Sequence, residues 1–214
     1  MHKKILFNKF GYTIVEVLFV ASLLGAIPMT VYIQAEKSAR SVECISNMKN
    51  IYIGIQLYES DFERLPDAKF YPDNPKDDPK SIVNILGKYI DDKNVFLCPS
   101  MPDELKKKGL TYIWNDGYNN QFSDTTSEKS LKWLLTDMTA IDEKIPPPHS
   151  GSYNVLFLDG HAETIKERVE INPVPAKLKK GIEIFFAGNL LSEKEKLAKK
   201  DARKISIYPK YLTL

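Results

Sequence analysis

Apolar residues run almost without interruption from Ile14 to Ile33, twenty positions in which Glu16 is the sole charge. A helix of that length spans about 30 Å, the thickness of a bilayer's hydrocarbon core. Beyond Ile33 the pattern becomes periodic. Val42, Ile45, Met48, Tyr52, Ile55 and Phe62 recur at intervals of three, four or seven, while Glu36, Lys37, Arg40, Glu43 and Lys49 fill the other face. The pattern predicts one helical spine from Tyr12 to about Arg64, ended by Leu65-Pro66; periodicity alone also allows two helices with a break near Gln34. Gly25 and Pro28 fall within the apolar run and predict a kink or local melting there.

After the spine the pattern shortens. Residues 66–80, "PDAKFYPDNPKDDPK", read as an exposed loop, followed by a short helix from Ser81 to Tyr89 with Ser81 as its cap. "NVFLCPS", Asn94 to Ser100, predicts a brief strand stopped by Pro99, and "LTYIWNDGYNN" a strand that turns at Asn115-Asp116-Gly117. "LKWLLTDMT" reads as another strand, although its spacing also fits a helix. "YNVLFLDGHAETI", Tyr153 to Ile165, predicts a hairpin closed by Asp159-Gly160 in a type I′ turn. A long helix followed by antiparallel strands is an α+β architecture. Asn172-Pro173-Val174-Pro175 resembles a linker, and Ser192-x-x-Glu195 is a capping box that opens a further helix. From Ser192 to Lys204 there are six basic and three acidic residues, either a solvated face or a surface for anionic lipid or nucleic acid.

Charge sharpens the reading of the first segment. The chain of 214 residues carries a formal charge of +2, so its total does not imply nucleic acid, but Lys3, Lys4 and Lys9 all lie just upstream of the apolar run. Positive charge is retained on the cytoplasmic side, which directs these lysines inward and the remainder outward. A secretory signal peptide also sets basic residues before apolar ones. Its apolar region is shorter and ends at a small-x-small cleavage site, whereas this one runs into Ile27-Pro28-Met29. A hydrophobic content of 43% with 27% charged residues is that of a folded chain.

The residues Lys9-Phe10-Gly11-Tyr12-Thr13-Ile14-Val15-Glu16 resemble the prepilin leader junction of type IV pilins and type II secretion pseudopilins. A short basic leader ends in Gly11, an aromatic residue opens the mature chain, and Glu16 stands fifth counted from Tyr12. The resemblance implies cleavage between Gly11 and Tyr12 by a prepilin peptidase, methylation of the new amino terminus, and anchorage in the bacterial inner membrane before assembly with other pilin or pseudopilin subunits. It also implies a pilin-like fold, a long N-terminal helix on a small antiparallel sheet. The corresponding organisation is a leader at 1–11, a membrane and filament-core segment at 12–33, a periplasmic α+β domain at 34–165 and a basic extension at 166–214. A carboxylate inside such a segment costs roughly 2.5–3.5 kcal/mol on insertion scales. In a filament the cationic terminus of a neighbouring Tyr12 would offset that cost and set register at Glu16.

His149 stands nine residues before Asp159-Gly160; with Cys98-Pro99-Ser100 and the leader junction, this resembles a pseudopilin-like subfamily named for its H-x9-D-G element. Two readings of the motif stay open. Either it is structural, with Asp159-Gly160 reversing the chain and His149 bonded to a nearby loop, or His149 and Asp159, with His161 or Asp137, hold a metal such as zinc. Calcium is a separate candidate, because pseudopilins resembling this chain bind it in an oxygen-rich loop. Asn115 to Glu128 supplies oxygens without the spacing of a known calcium loop. Cys44 and Cys98, the two cysteines, would pair in an oxidising periplasm and contribute about 4 kcal/mol by chain entropy; two separately buried thiols are the other possibility. No nucleophile elbow, phosphate loop or zinc signature is present, and catalysis is not expected.

The sequence therefore reads as a filament subunit. The alternative is a single-span, membrane-anchored protein whose outward domain binds a ligand or metal without polymerising. Terminal sequencing of the exported protein separates them: the mature chain is expected to begin at Tyr12, and recovery with Met1 to Gly11 intact excludes the filament reading.

Overall fold

The apolar and periodic segments form two helices in a computed structural model that describes residues 13–25, 29–123, 127–171 and 178–187. They are α1 (Ile14–Gly25) and α2 (Met29–Phe62). α2 passes Gln34 unbroken, so the break allowed there does not form; the kink expected at Pro28 lies outside the described residues. Among the described residues no helix is long and apolar enough to cross a membrane, α1 having 12 residues. α2 ends at Phe62, two residues before the expected Arg64. Glu63 takes a left-handed φ of +57° and its amide donates to the Glu59 carbonyl.

The buried face of α2 is rotated from the expected one. Cys44 and Ile51 join Met48 and Ile55 in the core, each no more than 1% exposed, while Val42 is 67% exposed and Phe62 48%. The predicted stripe lacks both Cys44 and Ile51, and a free cysteine behaves as a small hydrophobe.

The sheet is an antiparallel meander in the order β1 (Tyr112–Trp114), β2 (Trp133–Asp137), β3 (Tyr153–Phe157), β4 (Ala162–Ile165). Helix α2 crosses β3 and β4. Every residue of β1 and β3 is buried, so both read as near-continuous apolar runs and not as alternating ones. The mixed architecture, helices with a small antiparallel sheet, is that expected from the pattern. One local expectation is corrected. "NVFLCPS" forms no strand: Lys93–Phe96 is a 3-10 turn opened by Asp92, whose carboxylate accepts from the Asn94 amide. The short helix expected between Ser81 and Tyr89 forms as α3 (Ile82–Ile85) continuing as a 3-10 turn to Lys88, with Ser81 at the cap position although its hydroxyl makes no cap bond. A single turn, α4 (Asp103–Lys106), precedes β1.

The expected type I′ geometry appears at a different place. At the β3–β4 turn only Gly160 takes a positive φ, +89°, with the Gly160 amide donating to the Phe157 carbonyl. This is the three-residue hairpin loop with a left-handed glycine. Ser150 and Gly151 instead carry the paired positive φ values, +55° and +88°, and the His149 and Ser152 backbones exchange hydrogen bonds of 3.2 Å across them.

Further along, residues 178–187 form a helix, here α5, whose Ile182 is buried in the core with Ile171, and Lys179 pairs with Asp142 at 2.6 Å. Both buried isoleucines come from the stretch read as a C-terminal extension. The linker at Asn172 to Pro175 and the capping box at Ser192 lie outside the described residues.

Gly160 is pressed against α2. A Cβ there would collide with the Tyr52 ring, whose hydroxyl donates to the Leu158 carbonyl at 3.4 Å. A Cβ on Gly151, at a similar φ, would meet open space. Gly160→Ala is therefore expected to destabilise the fold by about 2 kcal/mol or more, combining left-handed strain with overpacking. Gly151→Ala should cost only the strain, about 1 kcal/mol. Urea denaturation of the two variants checks the difference.

Candidate metal centre at the helix and sheet junction

Four segments converge on one buried point. Cys44 projects from the core face of α2, Cys98 follows the 3-10 turn at Lys93–Phe96, Asp137 ends β2, and His149 opens the tight turn before β3. The ligand-capable atoms of the four lie within 4.8 Å of one another, and all four residues are buried. The His149 Nε2 lies 3.3 Å from the Cys98 Sγ and 3.3 Å from the Asp137 Oδ2, and the Cys44 Sγ lies 3.9 Å from the Asp137 Oδ1.

Each position is fixed by local structure. The Cys98 amide donates to the Thr111 hydroxyl at 2.5 Å, which pins its backbone to the segment entering β1. The Asn154 amide donates to the Asp137 Oδ2 at 2.8 Å. The other imidazole nitrogen of His149, Nδ1, lies 3.2 Å from the Ser100 hydroxyl, which orients the ring so that Nε2 faces the cluster. The Tyr112 hydroxyl sits 3.3 Å from the Cys44 sulfur.

Electrostatics favour charge separation within the group. Burial opposes a charge on His149, but the hydrogen bond to Asp137 and the Cys44 sulfur outweigh it and raise the imidazole pKa to about 9. Burial also opposes the Cys44 thiolate, yet the hydrogen bond from Cys98 and the nearby imidazole bring its pKa down to about 7. Cys98 is pushed up by its bond to Cys44 and by burial, so it stays protonated. Thiolates, imidazole and carboxylate are ligands for zinc-like ions. Attack on a substrate is a poor use of this cluster, because a reactive cysteine needs access and both sulfurs belong to residues with 0% exposure.

The structure divides the expected site residues. His149 and Asp137 meet; Asp159 and His161 do not join them, and lie together on the β3–β4 turn with Asp159 Oδ1 2.5 Å from His161 Nδ1. The reason is strand geometry: β3 separates His149 from Asp159 by five residues of extended chain, about 17 Å. The two cysteines expected to pair also meet here. Cys44 and Cys98 come together, but as free buried thiols. The calcium reading is not supported among the described residues: Asn115 and Asn119 spend their side-chain oxygens on the Gly117 amide and on the Trp114 indole and Ala68 amide. Residues 124–126 of that loop lie outside the described set, as do Gly11 and Tyr12. Glu16 closes a capping box instead of standing alone. Its carboxylate accepts from the Thr13 amide at 2.8 Å and the Thr13 hydroxyl at 3.0 Å, and the Glu16 amide donates back at 3.3 Å.

Nothing in the order of residues marks Ser100, Tyr112 or Asn154 as supports of the cluster, since their roles arise from contacts between distant segments. No family model, curated protein or solved structure matches the chain.

Asp137 is the hinge of this arrangement, touching His149, Cys44 and the Asn154 amide. Asp137→Asn is expected to cost about 3 kcal/mol in chemical denaturation, as removal of one member of a buried pair does. In chelator-treated protein, NMR titration should place the His149 imidazole near 9 in the wild type and, in this variant, shifted down towards its ordinary 6.5.

Proposed function

We propose that the chain is a subunit of a type II secretion pseudopilus or type IV pilus-like filament, cleaved after Gly11, anchored in the bacterial inner membrane through 12–33, with its head on the periplasmic side. The observation that carries this reading is α1. Ile14, Val15, Val17, Leu18, Phe19 and Val20 are 53–80% exposed, so the helix presents apolar side chains around its circumference with no partner for them among the described residues. A rod of this kind needs lipid or other helices around it. The head supports the reading in outline, because α2 packs a single face on a small antiparallel sheet and leaves the rest of the spine exposed.

The capping box refines what Glu16 does. Its hydrogen bonds to Thr13 satisfy part of the carboxylate and two otherwise unpaired donors at the helix start, which lowers the cost of carrying it into lipid. The remaining negative charge is available to the cationic Tyr12 terminus of a neighbouring subunit. Cap and charge are separable, because Gln retains the first and loses the second.

Glu16→Ala and Glu16→Gln are both expected to insert and to be cleaved to a Tyr12 terminus. Both should lower recovery in sheared filaments by at least about tenfold, the loss of roughly 1.4 kcal/mol per contact. Normal assembly of Glu16→Gln would show that only the cap matters and would remove the intersubunit ion pair from this account.

A further inference from the structure

We propose that Cys44, Cys98, Asp137 and His149 bind one zinc ion in a closed structural site that locks the helical spine to the head. The inference stands on the cluster alone and does not depend on whether the chain assembles into a filament.

The donor separations approach those of a four-coordinate site. Bonds of about 2.3 Å to sulfur and about 2.0–2.2 Å to nitrogen and oxygen set the corner atoms of a tetrahedron roughly 3.3–3.8 Å apart. The separations here are 3.3 Å for Cys98 Sγ to His149 Nε2, 3.3 Å for His149 Nε2 to Asp137 Oδ2 and 3.9 Å for Cys44 Sγ to Asp137 Oδ1. The four ligand atoms, one from each residue, all lie within 4.8 Å of one another, so a contraction of about 1 Å at the widest pair brings them onto one ion. Two sulfurs exclude calcium and magnesium, which take oxygen, and the mixed donor set with two cysteines is short of the four thiolates of most iron–sulfur clusters.

The surroundings are those of a ligand shell. The His149 Nδ1 has Ser100 as its outer partner, Asp137 has the Asn154 amide, Cys44 has the Tyr112 hydroxyl, and the Ser100 backbone amide bonds to the Cys98 sulfur. Outer partners of this kind hold first-sphere ligands in place. All four coordination positions are filled by the chain and the residues are 0–4% exposed, leaving no open position for substrate water. Such closure marks a structural site.

The site does something the core alone does not. Its ligands come from α2, the segment after Lys93–Phe96, the end of β2 and the turn before β3, so one ion ties the helical spine to three parts of the head that backbone hydrogen bonds already hold to one another. It also holds two thiolates that would otherwise be free to form a disulfide in an oxidising compartment.

The test uses the full chain in detergent micelles, purified without chelator. Plasma mass spectrometry should find about one zinc per chain. After chelation and reloading with cobalt, the protein should show thiolate-to-cobalt charge transfer in the near ultraviolet and the intense visible bands of tetrahedral cobalt, bleached by added zinc. Cys98→Ser and His149→Ala should weaken zinc binding by more than about 100-fold, and Ser100→Ala by about tenfold, as loss of an outer partner does. Asp159→Asn and His161→Ala should leave affinity unchanged. The wild-type cobalt spectrum decides the matter even where a ligand variant does not fold. A chain that takes up no zinc, a cobalt spectrum without thiolate bands, affinity lost on replacing Asp159 or His161, or a Cys44–Cys98 disulfide in the exported protein would each overturn the proposal.

Discussion

The fold is organised around a buried polar knot, where a helix crosses a sheet and four ionisable side chains are withdrawn from water together. An isolated carboxylate or imidazolium would be expensive at such a place, and here each is answered by another. That requirement reaches well beyond the four residues. The rotation of α2 that turns Cys44 toward the sheet and the pairing of β2 with β3 that lets Asp137 accept from the Asn154 amide both serve it. It also explains the tight turn at Ser150-Gly151. Reciprocal backbone bonds between His149 and Ser152 hold the imidazole at the foot of β3.

Against this closed head, α1 is built on the opposite principle. The head encloses the large side chains of Trp114, Tyr112 and Phe96 with no exposure. The first helix exposes its own. One chain thus contains a closed core and a helix whose apolar side chains stay exposed, joined through α2, whose early residues are exposed and whose later ones are buried on one face. Thr13 and Glu16 cap the start of that exposed helix.

The H-x9-D-G element takes a physical meaning from β3. Its histidine lies at one end of the strand in the buried cluster; its Asp-Gly lies at the other, where Gly160 lets the turn press on Tyr52 of α2. The two ends of the motif fasten opposite ends of one strand to the same helix. They do not form one site, and the nine-residue spacing, at strand geometry, is what keeps them apart.

Local pattern was enough for much of the fold. The long helical run, the strands at Tyr112, Trp133 and Tyr153, the turn at Asn115 and the hairpin around Gly160 were legible because helix and strand periodicity, turn residues and chain reversal act over a few positions. The 3-10 turn at Lys93–Phe96 was not legible as such, since a short apolar run suits several conformations and its burial decided among them. The Gly11-Tyr12 step and the lone acid of the apolar run are also properties of the sequence itself. The cluster is not. Cys44, Cys98, Asp137 and His149 are dispersed along the chain with no motif spacing, and only the crossing of α2 over the meander brings their donor atoms together. Convergence of that kind depends on strand register and helix rotation, which are set by long-range packing and leave no local signature in the order of the residues.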